Sequence, residues 1–207
     1  MSQSPVTPLP VWPPLWLRLW HGTNAVLFLV LIVTGTSLHF ADPTLPLVPF
    51  KLAYRLHTLA GVALALLYGV FLVANIVTGH WWQYVPKPER FFFRCWQQMR
   101  FLGRGIFEGE PPPFSPSPAQ SFNALEQIIY GLVMYLVVPT SVLTGLVFLW
   151  PEFAPRMMFG VDGLLPVAVL HTVAGLVLTL FMIAHIYLGS TGATVAGLYR
   201  MMIKGMA

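Results

Sequence analysis

Charge is what this sequence lacks most. Only 9% of its 207 residues are Asp, Glu, Lys or Arg, against roughly 25% in a soluble domain. With 57% hydrophobic residues and long apolar runs, that deficit argues against one or two soluble domains and for an integral membrane protein. Cysteine is almost absent as well, since Cys95 stands alone. This excludes a disulfide framework, a multi-cysteine zinc site and a cysteine-ligated iron–sulfur cluster within the chain, together with haem attachment through C-x-x-C-H. Acidic residues are missing from the apolar runs apart from Glu126 at a helix start. A histidine-based metal transporter, one alternative, would place acids there to carry the ion. The N-terminus, "MSQSPVTPLPVWPPLW", has no basic leader region. The first apolar segment therefore reads as a retained helix and not as a cleaved signal.

Net charge is +4 and the isoelectric point about 9.5. Nucleic acid is not the expected partner, because the basic residues fall between apolar runs, where they orient a chain in the bilayer. About 20 apolar residues span a membrane, and four segments qualify: about 17–40, 52–79, 124–150 and 165–189. The connectors 41–51 and 151–164 are short and broken by proline or glycine. The long loop 80–123 holds "EPPPFSPSPAQS", which cannot be helical, and an aromatic, arginine-rich stretch from Pro88 to Phe107 that suits an interfacial helix. Arg18, Lys87, Arg90, Arg94, Arg100, Arg104, Arg200 and Lys204 fall on one side, and Lys51, Arg55 and Arg156 on the other. That bias predicts an all-α, four-transmembrane-helix bundle, a single domain over 1–207, with both termini and loop 80–123 cytoplasmic. Trp12, Trp16, Trp20, Trp81 and Trp82 suit an interfacial belt.

A weak repeat runs through the chain. Span two begins "LHTLAG" (56–61) and span four "LHTVAG" (170–175), while spans one and three carry "IVTG" (32–35) and "VLTG" (142–145). The plan is two similar helical hairpins. Span four holds His171 and His185, fourteen residues apart. At ~1.5 Å and ~100° per residue they stand about 21 Å apart on one helix face. By depth, His57 matches His171 and His21 matches His185. Two imidazoles from different helices suit the axial positions of a low-spin b-type haem, which carries electrons and leaves no open coordination site. Gly61 and Gly175, each four residues after its histidine, would let a flat macrocycle approach, although small residues also serve helix packing. His39 could replace His57, and His80 could replace His21. Arg18 and Arg200 could pair with inner propionates and Arg55 with outer ones, or simply snorkel to the interface.

These features resemble the four-helix di-haem cytochrome b subunits of formate dehydrogenases, nickel–iron hydrogenases and thiosulfate-reductase-type complexes. The resemblance rests on "RLWHGTNAVLFLVLIVTG" (18–35), "RLHTLAG" (55–61), "FNALEQIIYGLVMYLVVPTSVLTG" (122–145) and "LHTVAGLVLTLFMIAHIYLGSTG" (170–192). It implies two haem b groups ligated by His21, His57, His171 and His185. It also implies a quinone site, for menaquinone or ubiquinone, near Asn123, Gln127 and His185; helix capping is the other role open to Asn123. Electrons would pass between the quinone and hydrophilic partner subunits, of iron–sulfur or multihaem cytochrome c type, on the outer side of a bacterial inner membrane. Two departures stand out. A tail beyond Lys204 is nearly absent, and Ala193 falls where many thiosulfate-reductase-type relatives have a histidine. A stand-alone di-haem quinone oxidoreductase of superoxide-oxidising type shares the same plan.

Overall fold

The computed structural model describes residues 13–42, 47–117, 119–191, 194 and 196–205; Trp12 and Ala193 lie outside them. Four helices are long and apolar enough to cross a membrane: Leu15–His39, Phe50–Val77, Ala124–Leu149 and Leu164–Gly189, spans one to four. Each matches its expected segment to within two residues at either end. Large apolar side chains on their outer faces are bare, among them Leu66, Val73, Leu143 and Ile183. Soluble monomers rarely expose apolar patches beyond a few hundred Å², so a lipid solvent is the environment that suits this surface.

Spans one and two pack tightly, as do spans three and four, while a thinner seam joins the two hairpins. The shared core lies in that seam. Phe71 and Tyr68 of span two meet Val133 and Val138 of span three and Leu178 of span four. Trp20 turns inward to stack on Phe71, at 4.5 Å between ring centres, and donates to the Leu67 carbonyl at 3.1 Å. In the first connector, Ser37 donates to the Val48 carbonyl at 2.8 Å and accepts from the Val48 amide at 3.0 Å. The first hairpin is thereby closed by one side chain.

Span three widens to a π-helical turn over Val133–Val137. Pro139 explains it. Proline has no amide hydrogen, so a carbonyl one turn earlier must go without. The Val138 amide reaches back to Val133, and the next amide, that of Pro139, does not exist. The Met134 carbonyl is therefore left over. Tyr68 of span two donates to it at 2.8 Å, which ties the hairpins together across the seam. A π-turn and its interhelical bond were not expected from the sequence.

The long loop begins with a 3-10 turn, His80–Tyr84, and continues as helix Phe91–Arg100. Phe92 and Trp96 stand out from this helix, and Cys95 is buried beneath it. A two-stranded hairpin, Met157–Met158 with Val161–Asp162, shapes the second short connector. Phe159 and Gly160 both take positive φ at its turn. A helix over Gly197–Lys204 follows span four, and Tyr199 donates from it to the Ile186 carbonyl.

Tyr68→Phe should leave the Met134 carbonyl unpaired in an apolar seam, at about 1–2 kcal/mol. Thermal unfolding in detergent should show that loss with span content unchanged by circular dichroism. A wild-type midpoint would mean the bond contributes nothing.

Candidate functional site: paired imidazoles

The structure brings the four histidines together in two cross-helix pairs. His57 of span two faces His171 of span four, with ring centres 6.3 Å apart. His21 of span one faces His185 of span four at 5.9 Å. All four are half-buried. His39 is exposed against Phe40. His80 sits between Trp16 and Tyr84, outside both pairs. Its Nε2 has no hydrogen-bond partner, and burial holds it below the usual imidazole range.

The hairpin repeat explains the first pair. The Nδ1 of His57 lies 3.0 Å from the Thr34 hydroxyl. That hydroxyl already donates its only hydrogen to the Val30 carbonyl at 2.6 Å. It can therefore only accept, so Nδ1 of His57 carries the proton. His171 repeats the arrangement: its Nδ1 lies 2.9 Å from the Thr144 hydroxyl, which donates to the Thr140 carbonyl at 2.7 Å. Each ring is thus fixed with Nδ1 protonated and a free Nε2 lone pair, the tautomer a metal needs. The glycine after each threonine completes the fit. A Cβ on Gly35 would stand 3.2 Å from Cε1 of His57, and one on Gly145 3.3 Å from Cε1 of His171. The second pair is built differently. Nδ1 of His185 meets the Tyr130 hydroxyl at 3.2 Å, and Phe181 stacks on the ring.

Comparison with known proteins shows the family. Residues 12–205 match the profile of prokaryotic cytochrome b561. The chain belongs to the prokaryotic cytochrome b561 family. It is also 32% identical over 189 residues to the protein named "Putative cytochrome YdhU" of Escherichia coli (strain K12), covering 91% of this chain and 71% of that one. As a cytochrome b561 family member it is a multi-pass bacterial membrane protein of electron transfer that binds haem b.

The donor set fits that group. A metal–imidazole bond is about 2 Å, so two rings on one iron have centres roughly 6 Å apart. Both pairs stand at that separation. Around Gly175 there is open space, and a Cβ on Gly61 would only graze Leu31 at 4.0 Å. A flat ring has room beside both glycines. Arg18 donates to the Ile203 carbonyl at 3.0 Å and keeps a buried Nε with no partner, which suits a propionate. Arg55 and Arg200 are exposed and form no ion pair among the described residues.

Asn123 and Gln127 are both buried. Asn123 caps span three, accepting from the Leu125 and Glu126 amides, while Glu126 reaches back to the Asn123 amide. Gln127 donates to the Gln83 carbonyl at 3.2 Å and keeps an unpaired buried Oε1. Thr34, Thr144, Gly35 and Gly145 were not singled out as site residues, although their signal was present in the repeated "TG". Tyr130 gave no signal.

Thr144→Val should weaken haem retention about tenfold, in line with the loss of other groups that orient metal-bound histidines. Thr144→Ser, which keeps the acceptor, should restore it. Haem transfer to apomyoglobin would measure both, and equal rates in wild type and the valine variant would remove the threonine from the site.

Proposed function

We propose that this chain is a single di-haem cytochrome b domain of a respiratory oxidoreductase, moving electrons between an outer-side redox partner and the quinone pool. The observation that carries this reading is the pair of imidazole pairs on one span. A b haem supplies reversible one-electron chemistry, and two axial imidazoles leave it no open position. The protein's part is geometric. Span four sets the two sites about 21 Å apart along its axis. Thr34 and Thr144 hold protons on Nδ1 and keep Nε2 free. Lipid-facing side chains keep water from the seam.

The outer pair is His57 with His171, and the inner pair is His21 with His185. The basic bias places both termini and loop 80–123 in the cytoplasm of an inner-membrane protein. Quinone binds at the inner side, near Asn123, Gln127 and His185, where cytoplasmic water supplies or receives protons. The buried, unpaired Gln127 Oε1 supports a polar ligand there. Charge crossing toward the quinone would then build membrane potential, at about 2.3 kcal/mol per charge per 100 mV. The outer partner is a hydrophilic subunit of iron–sulfur or multihaem cytochrome c type. A stand-alone quinone oxidoreductase would share the haem plan, and purification without any hydrophilic subunit would favour it. A metal transporter has less support: among the described residues no three His, Cys, Asp or Glu side chains cluster.

His57→Ala or His171→Ala should abolish one low-spin haem signal and leave the other, and His21→Ala or His185→Ala should do the converse. Haem-to-protein ratios should fall from about two to about one. Loss of a haem in His39→Ala or His80→Ala, with none lost in His57→Ala or His21→Ala, would overturn the pairing.

Orientation is tested separately. Alkaline phosphatase fused within 151–164 should be active in cells, and fused within 80–123 inactive. The opposite pattern would invert the bundle.

A further inference from the structure

A groove of about 580 Å³ opens between spans two and three and the His80–Tyr84 turn, away from both histidine pairs. Leu72, Ile76, Trp81, Val85 and Pro86 form its apolar walls, and Gly131 leaves space on the span-three side. Ile76, Trp81, Val85 and Tyr135 are part-exposed on the surface, so the groove opens sideways. No lining residue is charged. A phospholipid headgroup would need a cation there, so the occupant is neutral.

The polar lining is concentrated in Asn75, Tyr84 and Tyr135. Asn75, near the end of span two, is 1% exposed, and its Oδ1 has no partner. A buried unpaired amide oxygen is disfavoured, so its presence points to a ligand. Its Nδ2 donates to the Tyr135 hydroxyl, which leaves the Tyr135 hydrogen free to donate outward. Asn75 and Tyr135 thus offer one acceptor and one donor side by side. A ring hydroxyl satisfies both, because it accepts from Tyr135 and donates to Asn75. The terminal torsion of an Asn is soft enough for the amide to turn toward such a group.

The groove also connects to a histidine pair through edge-on and tilted rings. Tyr135 meets Tyr84 at 5.5 Å, Tyr84 meets Phe122 at 5.1 Å, Phe122 meets Tyr130 at 4.9 Å, and Tyr130 bonds His185.

We propose that this groove binds the ring of a quinol, seated on Asn75 and Tyr135 with its tail toward lipid. The inference rests on the quinone reaction proposed above and adds a site on spans two and three, apart from Asn123. Aromatic walls from Trp81 and Tyr84 suit a flat ring, and the volume lies within the usual range for small-molecule sites, about 300–1,000 Å³.

The test uses the haem-loaded full chain in nanodiscs and a short-tailed benzoquinol carrying a photoreactive azide. The label should map to peptides spanning 72–86 and 131–135. Asn75→Leu should weaken binding about tenfold, the loss of one well-made hydrogen bond. Ile76→Trp, which fills the groove from an exposed position, should block labelling with both haem spectra unchanged. It tests the groove even where Asn75→Leu fails to fold. Labelling confined to 123–127, indifferent to both variants, would overturn the groove and leave the quinone reading standing. No saturable binding of the quinol anywhere on the wild-type chain would overturn both.

Discussion

An imidazole inside a membrane has two nitrogens to satisfy, and the bundle is organised around that requirement. Water is not there to do it, and an unsatisfied polar group in hydrocarbon costs several kcal/mol. For His57 and His171 the protein satisfies one nitrogen and leaves the other. Thr34 and Thr144 take the Nδ1 hydrogen. The remaining lone pairs lie on rings from two helices that face each other across a thin seam. That seam is not a packing failure. Spans one and two, and spans three and four, pack closely within their hairpins, so the looseness is confined to the place where a flat group can enter. The hairpins are held in register by a core around Phe71 and by Tyr68 reaching the carbonyl that Pro139 sets free.

The spans were legible in the sequence because hydropathy measures the property that lipid selects. The histidines were legible because fourteen residues bring a side chain back to nearly the same helix face. The repeat "VTG" and "LTG" was visible too, yet its purpose was not. A threonine in a membrane helix can bond its own backbone, and Thr34 and Thr144 both do so. Only packing shows that the same oxygens also face imidazoles. Gly35 and Gly145 are a similar case. Gly61 and Gly175 drew attention by their spacing from histidine, but Gly35 and Gly145 are the ones a Cβ would press against the rings.

Other features were invisible for a different reason. The π-turn in span three depends on which carbonyl Pro139 leaves unpaired and whether a neighbour can reach it. Tyr68 lies 66 positions from Met134, and nothing local links them. Asn75 reads as an ordinary polar residue near the end of an apolar span. Its interest comes from burial and from Tyr135, 60 positions away. The hairpin Met157–Asp162 puts Phe159 at positive φ, where Gly, Asn or Asp is the usual signal. Asn123 is the reverse case. Its capping role follows from the sequence pattern N-x-x-E, and both bonds of the capping box are present.

The two histidine pairs share a helix but not a chemistry. In the His57–His171 pair both Nδ1 atoms meet threonine oxygens at 3.0 and 2.9 Å. In the His21–His185 pair, Nδ1 of His185 meets the Tyr130 hydroxyl at the longer distance of 3.2 Å. A hydrogen bond from Nδ1 makes the opposite nitrogen a stronger donor to metal. Stronger donation favours the more oxidised, more positive state of the iron. On ligand basicity alone, a haem held by the threonine-buttressed pair would therefore hold its electron less tightly than one held by the other. Electrons entering at the His57 end would run downhill along span four toward His185. In the proposed di-haem reading, the repeated threonines would act at the first pair as an electronic bias as well as a scaffold.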